Sequence, residues 1–349
     1  MQASVGNALH RGASLDRVRA FADGDREVGN EVWRSLVELG VAGILIPERH
    51  GGLGLGLLDA SLIAEVLGAN VTPSPFLGAA VLGPLALIEA GSPAQQDAWL
   101  PRLAAGEARA AIAIGETVSG ARDASGVSAR GGRLNGKSLF VIDAAGPDVI
   151  VVGDSQDRLH LVAGDAAGLD ITPLTTIDLT RQLGELTFTD CPAEPLGNGP
   201  EPLVRLRDAA WTMLAADMLG ASGAMIDKAV VYAKQRTQFG RLIGSFQAVK
   251  HLCAEMAAEL EPCRALVWYA AYAFDTAPSE ASLTAAHAKA LLSDVSRFVA
   301  RTATEVHGGI GITDLLGLHY WFKRVGLDRQ LLGGPERLRT MAAAMQGFG

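Results

Sequence analysis

The sequence is short of charge, short of cysteine and without a long uninterrupted apolar run, and each shortage excludes a class of function. Asp, Glu, Lys and Arg are 19% of the 349 residues, and 38 acidic against 30 basic side chains leave a net charge of −8 at pH 7. That balance lacks the cationic field that holds nucleic-acid binders to phosphate, so DNA and RNA are not expected partners. Cys191, Cys253 and Cys263 are too few and too scattered for a disulfide framework or a structural zinc site, and they read as reduced thiols. The longest uncharged stretch, 66–88, is interrupted by Asn70, Pro73, Pro75 and Pro84, unlike a membrane span. Residues 1–17 contain no apolar signal-peptide core, so the expected location is the cytoplasm. What is present is a 49% hydrophobic composition with mean hydropathy +0.22, which implies a globular chain of two or three structural units.

Periodicity divides the chain into three. From Ser14 to about Gly106 apolar residues recur at helical spacing, most clearly Val32, Leu36 and Leu39 and then Leu58, Leu62, Ile63, Val66 and Leu67. The turn-rich 47–56 and the Pro73, Pro75 pair stop helices. Between about Ala110 and Leu196 short apolar runs at 111–114, 139–142, 149–152, 159–162 and 186–189 predict strands. Gly131-Gly132, Asn135-Gly136 and Gly146-Pro147-Asp148 supply hairpin and loop chemistry, which favours an antiparallel barrel or sandwich over βαβ units. Helical spacing returns from about Glu201, with long helices expected at 208–234, 245–274 (kinked at Pro262) and 279–306 and a shorter one at 335–345. The expected fold is α+β: an N-terminal helical domain over 1–108, a middle β domain over 109–197 and a C-terminal helical bundle over 198–349.

Three clusters carry possible chemistry. The glycines of 51–56 invite a dinucleotide reading, but Leu57 stands where the third fingerprint glycine belongs and a helical region precedes them, so the segment reads as an inter-helix turn. Arg236-Thr237-Gln238-Phe239-Gly240 follows one long helix, and Gln247 begins the next. A guanidinium fork and an amide so placed can grip a diphosphate, or can simply form a surface helix-turn-helix. Glu305-Val306-His307-Gly308-Gly309 ends another long helix in glycines that let a ligand or a neighbouring backbone approach. His307 there reads as a capping or structural histidine. His251 and Glu255 share a helical face but do not make a metal site, and no metal is expected.

Taken together, these segments resemble the acyl-CoA dehydrogenase family along essentially the whole chain. Pro47-Glu48-Arg49-His50-Gly51-Gly52-Leu53-Gly54-Leu55 looks like its N-terminal signature, and Asn135-Gly136 with residues 139–142 looks like its flavin-facing β segment. Arg236, Phe239 and Gly240 with Gln247, and Glu305 with Gly308 and Gly309, match its two dinucleotide-contact motifs in order and spacing. The resemblance implies a C-terminal four-helix bundle, assembly as a dimer or a dimer of dimers, and FAD whose adenosine diphosphate portion is held across a subunit interface. It implies Arg236, Phe239, Gln247, Glu305, Gly308 and Gly309 as cofactor-binding residues, with Glu305 replacing the usual glutamine.

The sequence departs from that family where the chemistry belongs. In the family a carboxylate removes the α proton of an acyl-CoA thioester while the β hydride passes to the flavin. The commonest position of that base is the glutamate of a Tyr-Glu-Gly-Thr turn, and here the turn reads Leu331-Leu332-Gly333-Gly334, with Leu332 at the base position. Glu336 lies further on, at a helix N-terminus, where a negative charge is favourable. The base position of a second branch falls on Ala210, and the nearest carboxylate, Asp208, is turned about 200° around the helix and is expected to face away. The loop Thr-Glu-Pro-x-x-Gly-Ser-Asp becomes residues 115–123, and Ile142 stands where a flavin-contacting threonine is usual, without a hydroxyl to donate. The resemblance therefore implies a base-lacking subunit like those of the actinobacterial steroid side-chain acyl-CoA dehydrogenases. It would complete the FAD site of a homologous catalytic partner in an α2β2 heterotetramer, with acyl-CoA bound mainly through that partner. The rival expectations are a homo-oligomeric acyl-CoA dehydrogenase with Asp208 or Glu336 as a displaced base, and a flavin-free structural or acyl-CoA-binding module.

Overall fold

Helix-forming sequence at both ends and strand-forming sequence between them fold as separate layers around a shared core. A computed structural model describes residues 1–122 and 124–348; Asp123, Gly349 and the side chains of His10 and Arg11 lie outside the description. The N-terminal region consists of α1 (Gln2–Gly12), α2 (Leu15–Ala22), α3 (Glu27–Glu38), α4 (Leu57–Ala69), a π-helical segment (Phe76–Leu82), α5 (Gly83–Ala90) and α6 (Pro93–Ala104). Helix α3 buries Val28, Val32, Trp33 and Leu36, the i, i+4, i+8 face of an amphipathic helix. Helix α6 begins in a capping box: Ser92 Oγ accepts from the Gln95 amide, and Gln95 Oε1 accepts from the Ser92 amide at 2.9 Å.

The middle region carries β1 (Ala110–Ala113), α7 (Gly115–Ser119), β2 (Gly126–Arg130), β3 (Arg133–Ile142), β4 (Val149–Gly153), β5 (Leu159–Ala163), β6 (Leu169–Pro173), β7 (Leu183–Pro192) and β8 (Glu194–Leu196). The sheet runs in the order β6-β7-β3-β1-β4-β5-β8, with β2 paired to β3. All pairs in it are antiparallel except β1 with β4, so the antiparallel expectation is corrected to a mixed sheet. The chain leaves β1 through α7 and the β2–β3 hairpin and returns on β1's other side in the same direction, which makes that pair parallel. Period-2 alternation divides the two faces: Ala111 and Ala113 enter a small core within the β region, whereas Ala110 and Ile112 join the main core.

Gly131-Gly132 forms the β2–β3 turn, both residues at positive φ as a type I′ turn requires. Asn135-Gly136 is no turn; it lies inside β3 at a register shift against β7. A Cβ on Gly136 would stand 2.1 Å from Gly126 O, so the glycine is required by strand approach.

The C-terminal region is α8 (Glu201–Gln235), a two-residue hairpin of β9 (Thr237–Gln238) and β10 (Arg241–Leu242), α9 (Gln247–Thr276), α10 (Pro278–His307), α11 (Leu318–Gln330) and α12 (Pro335–Met345). Helix α9 runs unbroken through Pro262. Helix α8, about 50 Å long at 1.5 Å per residue, packs against α4, α9 and α10. Where α4 crosses it, a Cβ on Gly220 would lie 1.8 Å from Glu65 O and one on Gly68 would lie 2.1 Å from Asp217 O. By length and composition α8 is apolar enough to cross a membrane, but 89% of its apolar window is buried, as in a core helix.

A buried charge network joins the middle and C-terminal regions. Arg324 on α11 pairs with Asp217 on α8 through two bonds and donates to Thr180 Oγ1 at 2.9 Å. Arg181 pairs with Asp328 at 2.7 and 3.1 Å. Burial works against ionising Asp217, but Arg324 and Arg181 overturn it and hold that carboxyl below its usual range; burial pushes Asp328 up. Nearby, Asp143 Oδ2 accepts from the Gly78 amide at 2.6 Å, and burial raises its carboxyl to about 6.

Candidate functional site

Two concave regions gather the residues singled out by sequence. The first is a groove of about 720 Å³ where α8 and α10 end. Helix α8 stops before Arg236, whose extended backbone starts the β9–β10 hairpin. The hairpin turns through Phe239 and Gly240, both at positive φ, and this turn projects Phe239 outward at 93% exposure. Helix α10 stops at His307 and releases Gly308 and Gly309. The groove is lined by Arg236, Phe239, Glu305, Gly308 and Gly309. Gln247, sixth of the expected contact residues, is exposed between the lining residues Phe246 and Ala248, and its amide meets His251 Nε2 at 3.1 Å.

The polar groups of this groove are unevenly engaged. The Arg236 guanidinium makes no hydrogen bond or ion pair among the described residues, so its five donors are available. A Cβ on Gly308 or Gly309 would meet nothing within 4 Å, so both peptides lie open to an incoming ligand. His307, by contrast, is buried, donates from Nδ1 to Ala303 O at 2.7 Å and stacks on Tyr232 with centroids 4.7 Å apart. Burial lowers its imidazole pKa, which fits the structural role read from sequence. Glu305 places an exposed carboxylate on the same wall.

The second region is a smaller cleft of about 110 Å³ between α7, β3 and the turn joining α11 to α12. Glu116, Ser119, Phe140, Gln330 and Leu332 are among its lining residues. Leu332 is only 4% exposed and sits at φ +57°, and Phe140 on the opposite wall sits at φ +53°. Each left-handed residue without glycine costs about 1–2 kcal/mol, so both walls hold strained backbone. Two donors fix the turn: Trp211 Nε1 to Leu332 O at 2.8 Å and Lys289 Nζ to Gly333 O at 2.6 Å. Lys289 is fully buried, and burial pulls its ammonium down to about 7.

Neither displaced-base candidate reaches the cleft. Asp208 is buried against α10, where Arg207 donates to it at 2.7 Å and Ser282 also donates to it, and burial raises its carboxyl. Glu336 is exposed and pairs with Arg329 at 3.2 Å. The carboxylate that does line the cleft is Glu116, which sequence reading did not single out. Its two oxygens accept from Ser138 Oγ and the Leu139 amide, each at 2.7 Å, so it fastens β3 to α7. Ile142, expected at a flavin-contacting position, is instead buried in the main core, and Leu139 and Phe140 face the cleft. The irregular pairing of β3 between Ser138 and Val141 produces this change of face. Asp123, at the end of the altered loop, lies outside the described residues.

The layered helix–sheet–helix architecture with this groove defines the fold class, and comparison with known proteins gives the family. The domain described as "Acyl-CoA dehydrogenase, N-terminal domain" matches residues 13–107, and "Acyl-CoA dehydrogenase, C-terminal domain" matches residues 209–346. The acyl-CoA dehydrogenase IpdE2 of Mycobacterium tuberculosis is 33% identical over 345 residues, covering 97% of this chain and 93% of its own length. IpdE2 of Mycolicibacterium smegmatis is 31% identical, covering 98% and 97%. Among solved structures, a chain of a variant of the Tcur3481-Tcur3483 steroid ACAD superposes with TM-score 0.91 at 29% identity over 99% of this chain and 96% of its own. A chain of the ChsE4-ChsE5 complex from Mycobacterium tuberculosis gives TM-score 0.92 at 25% identity over 100% and 96%. The chain belongs to the acyl-CoA dehydrogenase family.

Proposed function

We propose that this chain is a base-lacking subunit of a heteromeric, FAD-dependent acyl-CoA dehydrogenase that introduces an α,β double bond into an acyl-CoA thioester. The observation that carries the reading is the contrast between the two concave regions. The groove keeps an uncommitted guanidinium at Arg236 and open peptides at Gly308 and Gly309, whereas the cleft presents Leu332 where the family's base stands.

The groove residues fit the diphosphate end of FAD. Arg236 would supply a fork of donors to phosphate oxygens, the open glycines would admit the backbone close to them, and Phe239 would offer an apolar surface. Glu305 is compatible with that ligand if it faces hydroxyl or amino donors rather than phosphate. FAD, when bound, supplies the hydride acceptor of the desaturation. The homologous partner supplies the carboxylate that takes the α proton and most of the acyl-CoA pocket. We take the assembly as an α2β2 heterotetramer in the cytoplasm; the names of the two structural neighbours, both pairs of subunits, support a second kind of subunit, and the steroid ACAD supports a steroid acyl group.

The reading with a displaced base loses support because Asp208 and Glu336 both lie outside the cleft and are engaged elsewhere. The flavin-free reading loses support because it leaves Arg236 and the exposed Phe239 without a role. Expression of this chain alone and together with a candidate homologous acyl-CoA dehydrogenase subunit tests the proposal. Flavin absorbance confined to the co-purified complex is the expected result. A yellow chain that alone is bleached by an acyl-CoA would overturn it.

A further inference from the structure

A third concavity lies in the β region, remote in sequence from the residues assigned above. It has a volume of about 230 Å³ and is bounded by Arg130 at the β2–β3 turn, Arg158 and His160 at the start of β5, and the Gly197-Asn198-Gly199 loop that leads into α8.

Its basic wall is fixed from behind. Asp154 is completely buried and accepts from Arg158 Nη2 at 2.8 Å, Arg158 Nε at 3.1 Å and the amides of Gln156 and Arg158. His160 Nε2 lies 2.9 Å from the same carboxylate. One aspartate thus orients a guanidinium and an imidazole together, which leaves Arg158 Nη1 and His160 Nδ1 without a protein partner among the described residues. The Arg130 guanidinium has no hydrogen bond or ion pair among them.

The opposite wall is backbone. Gly197 and Gly199 have φ of +64° and +88° with Asn198 between them at negative φ, an alternation that turns successive amides toward one side. The amides of Asn198 and Gly199 donate to no acceptor among the described residues. Glu201, the first residue of α8, opposes an anion: its Oε2 is 2.5 Å from where a Cβ on Gly199 would stand.

We propose that this cavity binds a phosphate-type oxyanion, gripped between Arg130, the Asp154-oriented Arg158 and the Asn198 and Gly199 amides, with His160 Nδ1 donating to it only in the imidazolium form, because the Nε2 hydrogen is given to Asp154. The shared chemistry is a tetrahedral dianion, whether free phosphate or the phosphoryl group of a nucleotide.

Calorimetric titration of the purified full chain with inorganic phosphate and, separately, with adenosine 3′,5′-bisphosphate tests this. Arg236→Gln serves as background, so that binding in the groove does not contribute. Arg130→Gln, a change to an exposed side chain with no partner among the described residues, is expected to weaken binding about tenfold or more, the scale of one charge-assisted contact. Glu201→Gln is expected to tighten it. Equal affinity for the two probes identifies a free oxyanion, and tighter binding of the bisphosphate identifies a nucleotide phosphoryl group; either supports the site. Absence of saturable binding by both probes, or binding unchanged by Arg130→Gln, overturns it.

Discussion

Trp211 Nε1 donates to Leu332 O at 2.8 Å, tying the middle of α8 to the turn in which the family carries its base. Both residues are buried, so the turn is held in its strained conformation although the side chain it presents is an inert leucine. On the base-lacking reading proposed above, the scaffold of a reactive position is kept while its acid–base group is absent.

Leu332→Ala separates packing from catalysis. Removing this buried side chain should cost about 2–3 kcal/mol of stability, read by denaturant unfolding. If the proposed base-lacking role is right, turnover of the assembled complex should stay close to wild type.

Trp211→Phe removes the indole donor while retaining most of the ring. Leaving Leu332 O without its partner should cost about 1–3 kcal/mol. Faster amide exchange at residues 331–334 would show that the loss is local to the turn.

Arg324→Met tests the buried network. Asp217 and Asp178 would be left facing one arginine fewer, and breaking a buried pair costs about 3–5 kcal/mol. Thermal unfolding at neutral pH should show a large fall in the midpoint, or a chain that does not fold.

Asp143 makes stability depend on pH in a defined direction. Burial raises its folded-state carboxyl to about 6, whereas the unfolded group titrates near 4. The folded state therefore binds the extra proton between those values. The stabilisation is complete below about pH 4 and is lost as pH rises through 6, a change of about 3 kcal/mol at most. Asp143→Asn, which can still accept from the Gly78 amide, should remove that slope between pH 4 and 7.

The elements legible in the sequence are those whose signal is local. Helix α12 begins and ends at 335 and 345 as periodicity predicts, because Pro335 opens it and its apolar face is intact. Helix α11 was not separately predicted, since its buried face includes Arg324 and Asp328, whose partners come from distant parts of the chain. Strands β2 and β6 were missed because both are largely exposed and lack an apolar run. Asn135-Gly136 has the composition of a hairpin turn, but the glycine answers the close approach of Gly126. The same distinction separates the two sites. Arg236 and Phe239, and Glu305, Gly308 and Gly309, stand in two compact motifs, and two helix ends bring them to one groove. The cleft depends on Glu116, Trp211 and Lys289, which meet the 331–334 turn or the neighbouring strand only after folding.

The most direct test of the central claim is the flavin-to-protein ratio of the co-purified complex carrying Arg236→Gln in this chain alone. The account predicts an intact complex that has lost most of its flavin, because the missing guanidinium belonged to the partner's cofactor. A complex that retains its full complement of flavin and turns over normally would contradict the shared site.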